Sequence, residues 1–134
     1  MKGKKTKIDE IELLFRALAD RTRLRLLNLI SDDEVCVCFL VEALNLTQPK
    51  ISRHLAYLRR AGIVGARREG KWMHYRVVVP TEGFKAGVLV AVRQWLSNHP
   101  EMALDRGRLA KLCCGGSLPG PLKNAPKPLS FVST

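Results

Sequence analysis

Along the chain, apolar residues recur at helical spacing, then alternate, then return to helical spacing. Ile8, Ile11, Phe15 and Leu18 predict a first amphipathic helix over about 8–18. Asp20 is placed to cap a second, Thr22 to Ile30, with Leu24, Leu27 and Ile30 as its stripe, Leu26 widening it, and Arg21, Arg23 and Arg25 on the polar side. Ser31, Asp32 and Asp33 read as a turn. In EVCVCFLVEALNL, Phe39, Leu40, Ala43 and Leu44 fit a short third helix that Asn45 can close. A fourth helix follows over Gln48 to Ala61, with Thr47 as its N-cap, Pro49 tolerated in the first turn, and Gly62 free to take the left-handed conformation that ends it.

Beyond Gly62 the period falls to two. Ile63–Arg68 and Lys71–Val79 predict a β-hairpin turning at Glu69-Gly70. Pro80 stops it, Thr81 can cap a last helix, and Phe84, Val88, Val92, Trp95 and Leu96 give that helix a wide apolar face up to Asn98. A short helix, a tight connection and a longer helix form a helix-turn-helix, and the hairpin after it is a wing. The predicted fold is mainly α with a small β-hairpin, a winged helix-turn-helix pairing with a second copy through its first and last helices. Residues 1–7 form a basic arm, 8–99 the DNA-binding and dimerisation domain, and 100–134 a flexible basic tail rich in Gly and Pro.

Charge points to the partner. The 134 residues carry a net charge of +11, which favours a polyanion, nucleic acid before a membrane surface. From Lys50 to Arg76 eight cations are opposed only by Glu69. In the fourth helix Ile51, Leu55 and Leu58 make the buried stripe, while Lys50, Arg53, His54 and Tyr57 occupy another side that carries no acid. Thr47, Gln48, Pro49, Lys50, Ser52, Arg53 and His54 are the candidate groove-facing residues, because Gln and Arg pair bidentately with adenine and guanine and Ser serves either. Arg67, Arg68 and Lys71, near the hairpin tip, are placed for phosphates or a minor groove. A solvated basic face is the plainer alternative for helix and wing alike. The N-terminal MKGKKTK leads into acidic residues, not an apolar run, and no window has membrane-spanning length, so a cytoplasmic protein is expected.

In a reducing compartment the four cysteines, Cys36, Cys38, Cys113 and Cys114, are thiols for metal or redox chemistry rather than disulfides. Within a regular helix Cys36 and Cys38 would diverge by about 200°. They converge only if Cys36 lies in the extended segment entering the third helix, whose N-terminus favours thiolate. Two soft thiolates select As(III), Sb(III), Cd(II) or Zn(II) over hard ions. Cysteine as a small buried hydrophobe is the other possibility. Nothing indicates a cofactor, and an enzyme has little support: there is no C-x-x-C after a strand, no phosphate loop and no βαβ pattern.

These elements, in this order, resemble the ArsR/SmtB family of winged-helix metal- and metalloid-responsive repressors. The likeness covers Ile8 to Asn98 and rests on FRALADRTRLRLL, VCVCFL, TQPKISRHLAYLRRAGIV and RREGKWMHYR. The resemblance implies a homodimer that binds an inverted-repeat operator on double-stranded DNA, represses transcription and lets go when its inducer binds. VCVCFL is similar to the signature of arsenic-responsive members, which implies arsenite As(III) or antimonite Sb(III) as inducer, held by Cys36 and Cys38. Some members have a third cysteine where this chain has Val41. That leaves Cys113 or Cys114 as auxiliary ligands, a small-molecule thiol, or solvent to complete the site. A thiol redox sensor or a Cd/Zn sensor of the same fold is the alternative expectation, and a small thiol enzyme a remote one.

Overall fold

A computed structural model describes residues 6–30, 33–78, 80, 83–114, 120–122 and 124–128. The elements are α1 (Lys7–Leu18), α2 (Arg21–Leu29), β1 (Val35–Cys36), α3 (Val37–Leu44), α4 (Gln48–Arg60), β2 (Val64–Glu69), β3 (Trp72–Val77), α5 (Phe84–Asn98), α6 (Pro100–Cys114) and a 3-10 turn, Gly120–Leu122. Asp20 caps α2 by accepting from the Arg23 amide, as its place in the sequence predicts. Thr6 and Asp9 form a capping box at α1, so residues 6 and 7 begin that helix and do not belong to the expected basic arm. Ser31, Asp32 and Thr81 lie outside the described residues.

Two left-handed residues end the two helices of the helix-turn-helix, Asn45 at the turn between them and Gly62 at the exit into the wing. Asn45, at φ 54°, ends α3. Gly62, at φ 77°, ends α4, with its amide bonded to Arg59 O at 2.9 Å and the Ile63 amide to Leu58 O at 3.2 Å. Those two bonds form a Schellman motif, and buried Ile63 and Leu58 supply its apolar contact. A side chain at residue 62 would meet only the flexible Lys85 ammonium, at 3.2 Å, so the cost of Gly62→Ala is conformational. It should destabilise the fold by about 1–2 kcal/mol in chemical denaturation, and a neutral result would mean the junction relaxes freely.

Leu14, Leu26, Leu27, Ile30, Phe39, Leu40, Ile51, Leu55, Leu58 and Ile63 are fully buried and form the core between α1–α4 and the hairpin. In α1 the chain's own core takes Leu14, Ala17 and Leu18. Two members of the predicted stripe, Ile8 and Phe15, stay 68% and 52% exposed. In α5, Leu89 and Leu96 are buried, whereas Val90 and Trp95 are 52% and 55% exposed. An apolar surface is therefore left over on both helices.

Two features depart from expectation. The hairpin gains a third strand: the sheet order is β1-β3-β2, all antiparallel, with Cys36 opposite His74 and Arg67 opposite the same His74. Residues 100–114, expected to open a flexible tail, form α6, which packs on α2, α3 and α5. Its inner stripe is Met102, Asp105, Leu109 and Cys113. The acid in that stripe hides the helical period from the sequence. Asp105 is buried because Arg25 grips it bidentately at 2.7 and 3.0 Å and Arg108 adds a bond at 3.0 Å. Asn28 completes the seam by donating to Met102 O and accepting from Arg106. None of the helices described is long and apolar enough to cross a membrane.

Candidate nucleic-acid interface and thiol site

The exposed basic surface begins at the N-terminus of α4. Thr47, Gln48, Pro49, Lys50 and Arg53 are exposed and Ser52 is half-buried, while Ile51, Leu55 and Leu58 anchor the opposite face in the core. Thr47 holds the N-cap position with extended backbone but makes no side-chain capping bond. His54, expected among the groove-facing residues, is turned back toward α2. Its Nδ1 stands 3.3 Å from Arg23 Nη1 and 3.8 Å from Asp20 Oδ1. Burial holds it below the usual imidazole range, and Arg23, Lys50 and Arg53 add to that against the opposing pull of Asp20. It is a half-buried ring that joins two helices.

Arg23 is the hub of that joint. It donates to Ala17 O at 2.7 Å and Arg16 O at 2.8 Å, and its guanidinium lies 4.2 Å over the ring of Tyr57, which Arg60 covers at 4.7 Å. The α4 helix is thus tied through Tyr57 and His54 to α2 and the end of α1. In the wing Arg67, Arg68 and Lys71 are exposed. Lys71 lies 4.9 Å over Trp72. Arg67 is engaged: its guanidinium binds Glu34 in fork geometry at 2.8–3.1 Å.

The thiol pair lies behind this surface. Cys36 is at once the last residue of β1 and the N-cap of α3, at φ −67°, ψ 140°, and Cys38 is in the first turn. That is the extended entry which convergence requires, and the two sulfurs are 2.7 Å apart. Cys36 is buried and Cys38 half-buried, both as free thiols. The Cys38 thiol beside it lowers Cys36 to about 7; burial opposes this, and the amides of Cys38 and Met73 reinforce it. The second proton is correspondingly held on Cys38 by its Cys36 neighbour. Thiolate absorbance should therefore rise with a midpoint of about 7 and lose that step in Cys36→Ser; a first step near the ordinary 9.0 would contradict the arrangement. Because the folded thiol is the stronger acid, its ionisation stabilises the fold above the ordinary value, and that contribution is lost as pH falls through about 7.

Cys113 is buried in α6 with its thiol pushed up to about 11 by burial, and Cys114 is exposed. Among the described residues no three His, Cys, Asp or Glu side chains gather as metal ligands, so neither joins Cys36 and Cys38 in this structure. Arg23 and His74 lie within the stretches that carry the family resemblance, on the polar side of the second helix and in the second wing strand, but nothing in the sequence predicts the contacts they make; Glu34 carries no periodic or motif signal. Only the proximity of Glu34 to VCVC could have singled it out.

The family described as "Bacterial regulatory protein, arsR family" matches residues 20–65, the span from the α2 cap through the thiol pair to the first strand of the wing hairpin. The arsenic resistance transcriptional regulator ArsR1 of Pseudomonas putida is 50% identical over 90 residues, covering 63% of this chain and 70% of its own. The arsenical resistance operon repressor of Escherichia coli is 40% identical over 104 residues, covering 77% and 87%. The chain belongs to the ArsR family. As an ArsR-family protein it is a DNA-binding transcriptional regulator and not an enzyme. Its fold agrees with a solved relative, the homodimeric winged helix-turn-helix DNA-binding domain of a possible ArsR-family regulator from Mycobacterium bovis, at TM-score 0.56 and 27% identity over 75% of this chain and 94% of that one.

Proposed function

We propose that this ArsR-family chain is a homodimeric repressor that releases its operator when Cys36 and Cys38 bind trivalent arsenic or antimony. The contact between the two sulfurs carries the reading: a buried and a half-buried thiol converge behind the recognition surface, one of them with a proton that leaves near neutral pH. The names of the relatives from Pseudomonas putida and Escherichia coli support arsenic as the inducer. Arsenous acid would exchange two of its hydroxyls for the two sulfurs. Each new As–S bond releases one water, made of a departing hydroxyl and a thiol proton, and the third hydroxyl stays on arsenic. With Val41 where a third cysteine stands in some relatives, two protein thiols and one solvent-derived oxygen complete a pyramidal site, and Cys113 and Cys114 are not needed.

Operator binding would use Gln48, Lys50, Ser52 and Arg53 in the major groove, with Pro49 and Thr47 setting the start of the helix and Arg67, Arg68 and Lys71 on the flanking backbone. The leftover apolar surface, Ile8 and Phe15 of α1 with Val90 and Trp95 of α5, supports a two-fold dimer, in which two recognition helices face half-sites one helical turn apart. Trp95→Glu should give a monomer in sedimentation and weaken operator binding at least tenfold. A variant that still sediments as a dimer would move the interface elsewhere.

Titrating the reduced protein with arsenite tests the inducer. A sulfur-to-arsenic absorption band saturating at one equivalent per chain, absent in Cys36→Ser/Cys38→Ser and intact in Cys113→Ser/Cys114→Ser, is the expected result; a band that survives loss of the first pair overturns it. The same sulfur contact favours thiol oxidation as a second reading, in which oxidation alone would release DNA and a reductant alone would restore binding.

A further inference from the structure

The third strand places the thiol pair inside the wing sheet. Cys36, His74 and Arg67 form one transverse row across β1, β3 and β2, so their side chains share a face of the sheet. Two residues before Cys36, Glu34 holds the Arg67 guanidinium by three contacts at 2.8–3.1 Å. Glu69 closes the circuit, 3.8 Å from Arg67 and 3.1 Å from His74 Nε2. The sensing cysteine and a DNA-flanking arginine are thus joined twice, through the chain to Glu34 and across the sheet through buried His74.

We propose that the thiol pair signals to DNA through the wing, with Glu34 and His74 as positioning residues that couple Cys36 to Arg67. This rests on the reading of Cys36 and Cys38 as the inducer site. Binding replaces the thiol contact between Cys36 and Cys38 with two bonds to one centre, which fix where each sulfur must sit. Cys38 is fixed in the first turn of α3, whereas β1 is held by only two ladder positions, Val35 to Tyr75 and Cys36 to His74. The strand is the part that yields. Its movement draws the Cys36 sulfur from the Met73 amide and carries Glu34 with it, and Arg67 either follows or loses its fork. A bidentate guanidinium–carboxylate pair responds steeply to such a shift because both bonds need one plane. A signal passing only from α3 to α4 would leave Glu34 without influence on induction.

The test measures two quantities separately on the full chain: arsenite binding from the sulfur-to-arsenic band, and operator affinity by fluorescence anisotropy with and without arsenite. In wild type arsenite should weaken operator binding roughly a hundredfold. In Glu34→Gln the band and its affinity should stay within twofold while that ratio falls below tenfold. Arg67→Gln should reduce the ratio to the same level, and the double variant should lose no more than either single one. An unchanged ratio in Glu34→Gln, or fully additive losses, overturns the wing route while leaving the inducer site standing. Failure of wild type to bind or respond to arsenite overturns the inducer reading instead, and the link then has its own readout. Cys36→Ser should shift the Arg67 Nε–Hε resonance in 15N-labelled protein, and an unmoved resonance overturns the link as well.

Discussion

A Cys36→Ser/Cys38→Ser variant should remain on its operator in saturating arsenite. Arsenite should weaken wild-type binding roughly a hundredfold, equivalent to a coupling of about 3 kcal/mol, and the variant should show less than a twofold change. In the proposed site the two sulfurs form one ligand set, so either single replacement should remove most of the response, and the double replacement little more. Operator affinity without arsenite should change little, because neither residue belongs to the exposed surface of α4 or the wing tip. Anisotropy with a fixed operator fragment checks both halves of this expectation. Arsenite release that persists in the double variant would move the site elsewhere, with Cys113 and Cys114 next in line.

Asp105→Ala should destabilise the protein by about 3 kcal/mol, the lower end for removing one partner of a buried ion pair. The lower end applies because the Arg25 side chain keeps 24% exposure and so recovers some hydration, while Asp105 keeps only 5%. The loss includes two bonds to Arg25 and one to Arg108, and it leaves a partly buried guanidinium without its carboxylate. Arg25→Ala should cost a comparable amount, and the double variant clearly less than the sum, which a denaturant series on the three variants would read. A loss below about 1 kcal/mol, the range of an exposed pair, would mean that α6 is held by its apolar stripe and the Asn28 and Arg106 bonds without help from Asp105. Since α6 also packs on α3, its loosening should broaden the thiol titration of Cys36.

How far these features can be read from the sequence varies with the signal each residue carries. Asn45 and Gly62 announce their left-handed conformations because few other residues adopt them, and the ends of α3 and α4 follow from those two positions. The convergence of Cys36 and Cys38 is legible as a condition: a C-x-C pair meets only across the boundary between an extended residue and a helix, and that boundary is where the chain places it. The apolar stripes of α1 and α5 are legible as stripes, but not their division. Leu14 and Leu96 pack inward while Phe15 and Trp95 stay out, and only the tertiary fit decides which is which. A helix over 100–114 is hidden by Asp105, whose partner Arg25 lies eighty positions earlier. Likewise, a two-residue strand such as β1 has no period to detect, so the pairing of Glu34 with Arg67 and the row through His74 emerge only from the fold.

The most direct measurement is an anisotropy titration of the reduced protein on its own upstream DNA, with and without micromolar arsenite, at one stated salt concentration because phosphate contacts make affinity salt-dependent. Tight binding without arsenite and release with it, not reproduced by zinc, is the predicted result. DNA that stays bound at saturating arsenite would contradict the metalloid-released repressor.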